Sequence, residues 1–197
     1  MNDRATIAAF QEGDEFAFVT LYNRFKAPVY VFCLKLLLDE ELARDALQET
    51  FLRVYENRDR LLKTTAFRSW LFTIARNQCY NVIRRDRRTV ALHDADDVAN
   101  AASTPANVLE RSEQVDLVNH YLAKLKVEYR EVLILREYQN LSYEEIAAVT
   151  RSTVSSVKSR LFKARRKLGT YLEPILQPGD GLGAEPPGEQ NLASNRP

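Results

Sequence analysis

Apolar residues recur at intervals of three and four along almost the whole chain, and this spacing constrains the fold more than any other feature. The first such series consists of Phe18, Leu21, Tyr22, Phe25, Val29, Phe32 and Leu36. Similar series follow at 43–55, at 67–83 and from 109 onward. No stretch alternates apolar and polar residues for long, and no Asn-Gly or Asp-Gly lies between two alternating stretches. We therefore predict an all-α fold.

Two interruptions of this pattern define the predicted domains. Residues 91–107 are rich in Ala and Asp and poor in large apolar side chains, so we expect an acidic, flexible linker there. Residues 175–197 contain too few apolar side chains to offset the entropy of ordering, which predicts a disordered tail. The remaining residues form two small helical domains, 1–90 and 108–174. Inside the first domain, Pro28 is expected to kink or split its helix.

The composition argues against several classes of protein. Cys33 and Cys79 stand apart without a CxxC pair, so we expect two small buried hydrophobes and no disulfide or zinc cluster. No apolar run approaches the ~20 residues of a membrane-spanning helix, and no signal peptide is visible, so we expect a soluble, cytoplasmic protein without membrane insertion. The sequence also lacks a catalytic triad and a phosphate-binding glycine loop. We expect neither an enzyme nor a cofactor.

Charge is distributed unevenly along the chain although the net charge is only +1. Residues 39–49 carry five acids against one arginine, whereas residues 84–88 carry four arginines against one aspartate. Residues 151–167 carry seven basic side chains and no acid. One acidic and two basic patches indicate more than one kind of partner.

The C-terminal half carries the pattern of a helix-turn-helix. Ser142 and Glu145 form a predicted capping box that opens one short helix, and Ser152 is predicted to cap the next. The second helix has a predicted buried stripe of Val154, Val157, Leu161, Ala164 and Leu168. Helical geometry places a polar and basic set on the opposite face: Ser155, Ser156, Ser159, Lys163 and Arg166, with Arg160, Lys167 and Lys158 beside it.

Such a helix fits the major groove of DNA, where serines and a lysine reach base edges and arginines contact phosphates. The alternative is an ordinary helical hairpin with a solvated basic face. Surface helices normally mix charge signs, because oppositely charged neighbours stabilise the helix. The absence of acids over residues 151–167 therefore favours DNA binding.

Five segments in a fixed order resemble one family. They are FVTLYNRF (18–25), DALQETFLRVY (45–55), FRSWLFTIARN with NVIRR (67–77 and 81–85), YREVLILREYQNLSYEEIAAV (129–149) and VKSRLFKARRKL (157–168). In this order and spacing the chain resembles bacterial RNA polymerase sigma factors of the extracytoplasmic-function class. The resemblance implies a region 2-like domain at 1–90 and a region 4-like domain at 108–174.

For the first domain, the resemblance implies two binding sites. The site for core RNA polymerase, on the clamp helices of the largest subunit, consists of Asp45, Gln48, Glu49 and Phe51. The site that recognises and melts the minus-ten promoter element consists of Thr64, Thr65, Phe67, Arg68, Trp70, Arg76, Asn77, Tyr80, Asn81, Arg84 and Arg85. Its loop lacks the Gly and the acid that are frequent in the class. Trp70 has an alternative role as a core side chain only.

For the second domain, the resemblance implies recognition of the minus-thirty-five element and a contact with the flap of the second-largest polymerase subunit. The implied DNA-binding residues are Arg151, Ser155, Ser156, Lys158, Ser159, Arg160, Lys163, Arg166 and Lys167. Ser155-Ser156 stands where the class usually has Gly-Thr, so we expect a different base preference.

The resulting hypothesis is a sigma factor that initiates transcription at specific promoters. The resemblance also implies a cognate anti-sigma factor that holds the chain inactive until a stress signal releases it. The alternative hypothesis is a repressor or activator that uses the same helix-turn-helix without polymerase. Such a protein needs a dimerisation surface and a ligand pocket, and the first hundred residues show neither pattern.

Overall fold

Eight α-helices make up the part of the chain that the computed structural model describes, residues 3–61, 63–93 and 113–176. In chain order they are α1 (Asp3–Gln11), α2 (Glu15–Leu37), α3 (Glu40–Glu56), α4 (Phe67–His93), α5 (Glu113–Ala123), α6 (Val127–Glu137), α7 (Tyr143–Thr150) and α8 (Val154–Leu176). Two 3₁₀ turns, Arg58–Arg60 and Thr64–Ala66, connect α3 to α4. No strand occurs within these ranges, and the predicted all-α fold is confirmed.

The first helices begin and end where local hydrogen bonds allow. Asp14 caps α2 by accepting from the Ala17 amide at 3.0 Å, and Asp39 caps α3 by accepting from the Leu42 amide at 2.8 Å. Between these helices Leu38 adopts the left-handed conformation, with φ of 64°, and its amide bonds to Leu34. The chain therefore reverses within two residues, and α3 packs back along α2.

We expected Pro28 to kink or split its helix. Helix α2 continues through Pro28, so the proline does not split it. Ala17 and Leu21 before the proline and Val29 and Phe32 after it are all buried in the same core. Burial of both halves against common neighbours offsets the hydrogen bond that proline removes.

Aromatic side chains dominate the core that α1 to α4 share. Tyr22 and Phe51 meet edge to face at 4.8 Å between ring centroids, and Phe32 meets Phe72 at 5.5 Å. Phe67 lies in the same core, 6.3 Å from Phe10. Cys33 and Cys79 are buried free thiols, as the sequence predicted.

Helices α7 and α8 form the predicted helix-turn-helix. The capping box is present: the Glu145 amide donates to Ser142 Oγ, and the Ser142 amide donates to Glu145. The cap predicted at Ser152 is instead provided by Thr153, whose Oγ1 accepts from the Ser156 amide at 3.2 Å. Ser152 Oγ lies 2.8 Å from Thr150 Oγ1, because the helix begins one residue later than predicted.

The two groups of helices pack directly on each other, with α4 against α7 and α2 against α6. The predicted linker and tail lie outside the described residues, apart from residues 91–93 at the end of α4 and 175–176 at the end of α8. In the described part of the chain, no helix combines the length and the apolar character needed to cross a bilayer.

Candidate nucleic-acid interface

Helix α8 presents the polar and basic face that the sequence predicted. Val157, Leu161 and Ala164 are buried, and the opposite side carries exposed Ser155, Lys158, Ser159, Lys163, Arg166 and Lys167. Ser156 and Arg160 are half-buried, and Arg151 is exposed at the left-handed residue that ends α7. This geometry leaves hydroxyl and cationic groups exposed along one side of a helix, as major-groove binding requires.

A groove of about 510 Å³ runs beside the start of α8, between that helix and the start of α6. Its lining includes Ser155, Ser156, Ser159 and Lys163 from the predicted DNA-binding set, and Glu128 faces them from α6. The serine hydroxyls and the lysine therefore converge on one concave surface.

Sequence reasoning missed Phe162, which is 65% exposed on α8 between Leu161 and Lys163. It lines a second groove, of about 460 Å³, with Tyr143, Lys158 and Arg166. An exposed phenylalanine among cations offers an apolar contact to a thymine methyl or a base edge. The signal was present in the sequence: Phe162 falls outside the buried stripe of α8.

Helix α3 carries the acidic face. Asp45, Gln48, Glu49 and Leu52 follow each other at helical spacing on its outer side. Asp45 and Gln48 are exposed, and Glu49 accepts from Arg53 at 2.8 Å. The structure places Phe51 in the core, 4% exposed against Tyr22, whereas Leu52 is 51% exposed. Leu52 is therefore the apolar side chain that this face presents.

The loop before α4 contains Thr64, Thr65 and the start of the predicted melting element. Thr64 is half-buried, and both threonines belong to the 3₁₀ turn Thr64–Ala66. Phe67 is a core residue, only 2% exposed, and so it cannot form a pocket wall without leaving the core. Trp70 is half-buried, 6.0 Å from Phe67, and remains partly accessible.

The far part of α4 offers accessible polar groups. Arg84 and Arg85 are exposed, and Arg84 is held in place by Asn81 Oδ1 at 2.5 Å and by the Tyr80 carbonyl at 3.3 Å. Asn77 and Asn81 are half-buried. These groups form a polar and basic edge of the first domain.

The near part of α4 is covered by the second domain. Arg76 makes an ion pair with Glu131 of α6, and the Tyr80 hydroxyl donates to the same carboxylate at 3.1 Å. Arg68 donates to the backbone carbonyl of Gln139. Three of the predicted minus-ten residues therefore donate hydrogen bonds to the second domain in this structure.

Burial shapes the ionisation of this cluster. Desolvation, followed by the charge of Glu131, raises the pKa of Tyr80 to about 12. Desolvation also raises the pKa of Glu131, which is fully buried, although Arg76 acts in the opposite direction. Elsewhere in the described ranges, no three His, Cys, Asp or Glu side chains are grouped so that they could hold a metal ion.

Comparison with known proteins places this geometry in context. The family Sigma-70 region 2 matches residues 21–89, and the family Sigma-70, region 4 matches residues 116–168. The RNA polymerase sigma-H factor of Pseudomonas aeruginosa is 30% identical over 89% of this chain and 96% of its own length. The ECF RNA polymerase sigma-E factor of Haemophilus influenzae is 28% identical over 89% of this chain and 98% of its own length.

Solved structures resemble the fold over most of the chain. CnrH, in complex with the cytosolic domain of CnrY, superposes with a TM-score of 0.68 at 26% identity, over 87% of this chain and 97% of CnrH. The sigma factor RpoE of Bartonella quintana, in complex with the anti-sigma factor NepR, superposes with a TM-score of 0.67 at 28% identity, over 79% and 96% of the two chains.

Proposed function

Because the chain belongs to the extracytoplasmic-function class of bacterial RNA polymerase sigma factors, and so directs polymerase to promoters and initiates transcription, we propose how its surfaces divide that work. Residues 1–90 bind core polymerase and the minus-ten element, and residues 108–174 bind the minus-thirty-five element. Residues 91–107 link the two domains, and residues 175–197 take no part in either contact. The observation that carries this proposal is the acid-free basic face of α8.

Core polymerase docks on the outer face of α3. Asp45, Gln48 and Glu49 provide the polar contacts, and Leu52 provides the apolar contact that we first expected from Phe51. An acidic face with one exposed leucine fits a basic partner surface with an apolar centre, which is the role we assign to the clamp helices.

Promoter melting falls to the loop before α4 and to α4 itself. Thr64, Thr65 and Trp70 receive an unstacked base, and Asn77, Asn81, Arg84 and Arg85 hold the single strand. The exposure of Arg84 and Arg85 and the partial exposure of Trp70 support this assignment. Arg68, Arg76 and Tyr80 belong to the same proposed surface, although in this structure they bond to the second domain.

The minus-thirty-five element is read by α8. Ser155, Ser156 and Ser159 contact base edges from the start of the helix, and Phe162 adds an apolar contact. Phosphates are held by the cations around them: Arg151, Lys158, Arg160, Lys163, Arg166 and Lys167. The same domain contacts the flap of the second-largest polymerase subunit.

A cognate anti-sigma factor holds the chain inactive until a stress signal releases it. Of the two solved relatives above, RpoE was captured with the anti-sigma factor NepR and CnrH with the cytosolic domain of CnrY. The chain works in the cytoplasm, where RNA polymerase acts, and contributes binding energy and no bond-making chemistry of its own.

The test combines the purified chain with core polymerase and a library of double-stranded promoter DNA. We expect sequence-selective run-off transcription that requires both components. Replacing Asp45 and Glu49 by Lys should weaken core binding about a hundredfold while the helical circular dichroism is unchanged. The charge-matched control replaces Glu12 and Glu173, which are exposed acids outside α3, by Lys. This variant should bind core polymerase normally. Sequence-specific DNA binding by the chain alone, with no effect of core, would instead establish a polymerase-independent regulator.

A further inference from the structure

The groove between the starts of α6 and α8 holds one carboxylate among hydroxyl and cationic groups. Glu128 lines it from the first turn of α6, and Ser155, Ser156 and Ser159 line it from α8. Glu128 is exposed, and within the described residues its carboxylate has no hydrogen bond or ion pair. Its oxygen atoms are therefore available to a ligand that enters the groove.

The serine hydroxyls alone cannot give this groove a strong base preference. A hydroxyl both donates and accepts, so it can pair with the edge of any base in the major groove. Arg160 and Lys163 only donate, and we assign them to phosphates. A carboxylate only accepts, so it pairs with an amino group and is repelled by the acceptor atoms of guanine and thymine. Glu128 is thus the group on this surface that can exclude bases.

The same chemistry distinguishes the two bases that carry an amino group in the major groove. Adenine presents its N6 amino group beside the acceptor N7, and this pair of groups fits the side-chain amide of Asn or Gln. A carboxylate would meet N7 with a second acceptor. Cytosine presents the N4 amino group, and the neighbouring acceptor is O6 of its paired guanine, which can accept from a serine hydroxyl of α8. The groove therefore fits cytosine better than adenine.

Cations in the groove reduce the repulsion between Glu128 and the DNA backbone. Arg160 and Lys163 line the same surface, so the charged side chains of the groove are two cations and one anion. The local potential stays positive, as a nucleic-acid surface requires. An acceptor can then approach a base edge without losing the attraction of the phosphates for this helix.

On the basis of the proposed function, we propose that Glu128 sets the base preference of the groove by accepting a hydrogen bond from the N4 amino group of one cytosine in the minus-thirty-five element. Two helices then share the recognition, with hydroxyls from α8 and the carboxylate from α6. Ser155 and Ser156 stand where the class usually has Gly-Thr, which supplies one hydroxyl fewer. The base preference of this chain therefore depends on a pair of helices and not on α8 alone.

The experiment selects promoters with the holoenzyme formed from the full chain and core polymerase. Duplex DNA with a randomised minus-thirty-five element is bound, and the retained sequences are counted. We expect one position at which the native chain prefers cytosine by about tenfold. Glu128→Gln should shift that position to adenine, because an amide both donates and accepts, and should leave the other positions unchanged. Glu173→Gln, which removes an exposed carboxylate of α8 outside the groove, is the matched control and should keep the native preference.

A change in the DNA tests the same hydrogen bond from the other side. The preferred cytosine is replaced by 2-pyrimidinone, which lacks the N4 amino group, while guanine stays opposite. The native holoenzyme should lose about tenfold in affinity. Glu128→Ala should bind the two DNA duplexes equally, because the partner of the amino group is already missing.

Each outcome decides between this proposal and the proposed function. If Glu128→Gln and Glu128→Ala select the same sequences as the native chain, the role of Glu128 is overturned and recognition by α8 stands. Tighter binding of all sequences alike, with a steeper salt dependence, would show that Glu128 only repels phosphates, and it would also overturn the proposal. A native holoenzyme that selects no base anywhere in the minus-thirty-five element would overturn the proposed function itself. The shift from cytosine to adenine at one position would support both.

Discussion

The guanidinium of Arg130 donates a hydrogen bond of 2.8 Å to the backbone carbonyl of Leu36. Leu36 lies in the last turn of α2, where carbonyl groups have no partner within the helix and the helix dipole favours a cation. A side chain of α6 therefore satisfies a carbonyl group at the end of a helix in the other domain. Its burial lowers the pKa of Arg130 to about 10.

Replacing Arg130 by Leu should leave the Leu36 carbonyl buried and unsatisfied. We expect the free energy of unfolding to fall by about 1–3 kcal/mol. Urea denaturation followed by circular dichroism measures this loss. Arg44→Leu, which removes an exposed intrahelical ion pair, should cost less than about 0.5 kcal/mol. Equal losses in the two variants would contradict the role of Arg130.

Phe51 and Leu52 are neighbours with opposite environments, so their alanine variants should fail in different ways. Phe51→Ala leaves a cavity beside Tyr22 and should destabilise the chain by about 3–5 kcal/mol. Leu52→Ala should leave stability within about 0.5 kcal/mol and weaken binding to core polymerase. Thermal unfolding and core titration distinguish the two effects. Weakened core binding by a fully stable Phe51→Ala would contradict the assignment.

Ser159 and Lys163 should contribute differently to minus-thirty-five binding by the holoenzyme. Lys163→Ala removes a phosphate contact, so binding should weaken about equally on all sequences and the salt slope should fall by about one unit. Ser159→Ala should change which bases are preferred by about 1–3 kcal/mol and leave the salt slope unchanged. Competition binding across variant promoters at several salt concentrations measures both quantities.

Tyr80 should report the domain contact through its ionisation. Its pKa is raised from 10.0 to about 12 by burial and by Glu131, so the folded chain keeps this proton in that pH window. The folded state then binds the proton more tightly than the unfolded state, and the stability that this contact contributes is lost as pH rises through the window. Tyrosinate absorbance of the native chain minus that of Tyr80→Phe isolates the signal. An inflection near the ordinary tyrosine value would contradict the buried contact, and Glu131→Gln should move the inflection towards that value.

The capping box should stabilise the helix-turn-helix. Ser142→Ala leaves the Glu145 amide without its acceptor, and we expect a loss of about 0.5–2 kcal/mol in the free energy of unfolding. The control is Thr170→Ala, which removes an exposed hydroxyl away from the ends of α8 and should change stability little. Chemical denaturation of both variants provides the comparison.

Local features of the fold could be predicted from the sequence, because their partners lie within one helical turn. The Ser142–Glu145 capping box and the buried stripe of α8 are examples. The cap at Thr153 was placed one residue early at Ser152, since either hydroxyl satisfies the same pattern. Phe51 belongs to the apolar helical series at 43–55 and is buried, whereas the polymerase contact expected of it came from the family resemblance alone.

Long-range polar contacts could not be predicted. Arg76 and Glu131 are 55 positions apart, and each looks like an ordinary surface charge when read locally. Gln139 and Pro28 are 111 positions apart. Such pairings depend on how two finished domains meet, and no periodic pattern encodes that orientation.

The order of the helices has a consequence for the chain as it leaves the ribosome. The buried side chains of the first core lie between Ile7 and Cys79, and they belong to helices, which fold quickly on local contacts. This core can form before α6 and α7 have been synthesised, a delay on the order of ten seconds. During that interval the nascent chain exposes Arg68, Arg76 and Tyr80, which the finished protein covers. Translation speed through α5 and α6 therefore sets how long these side chains, which we propose as DNA contacts, stay uncovered in a newborn chain.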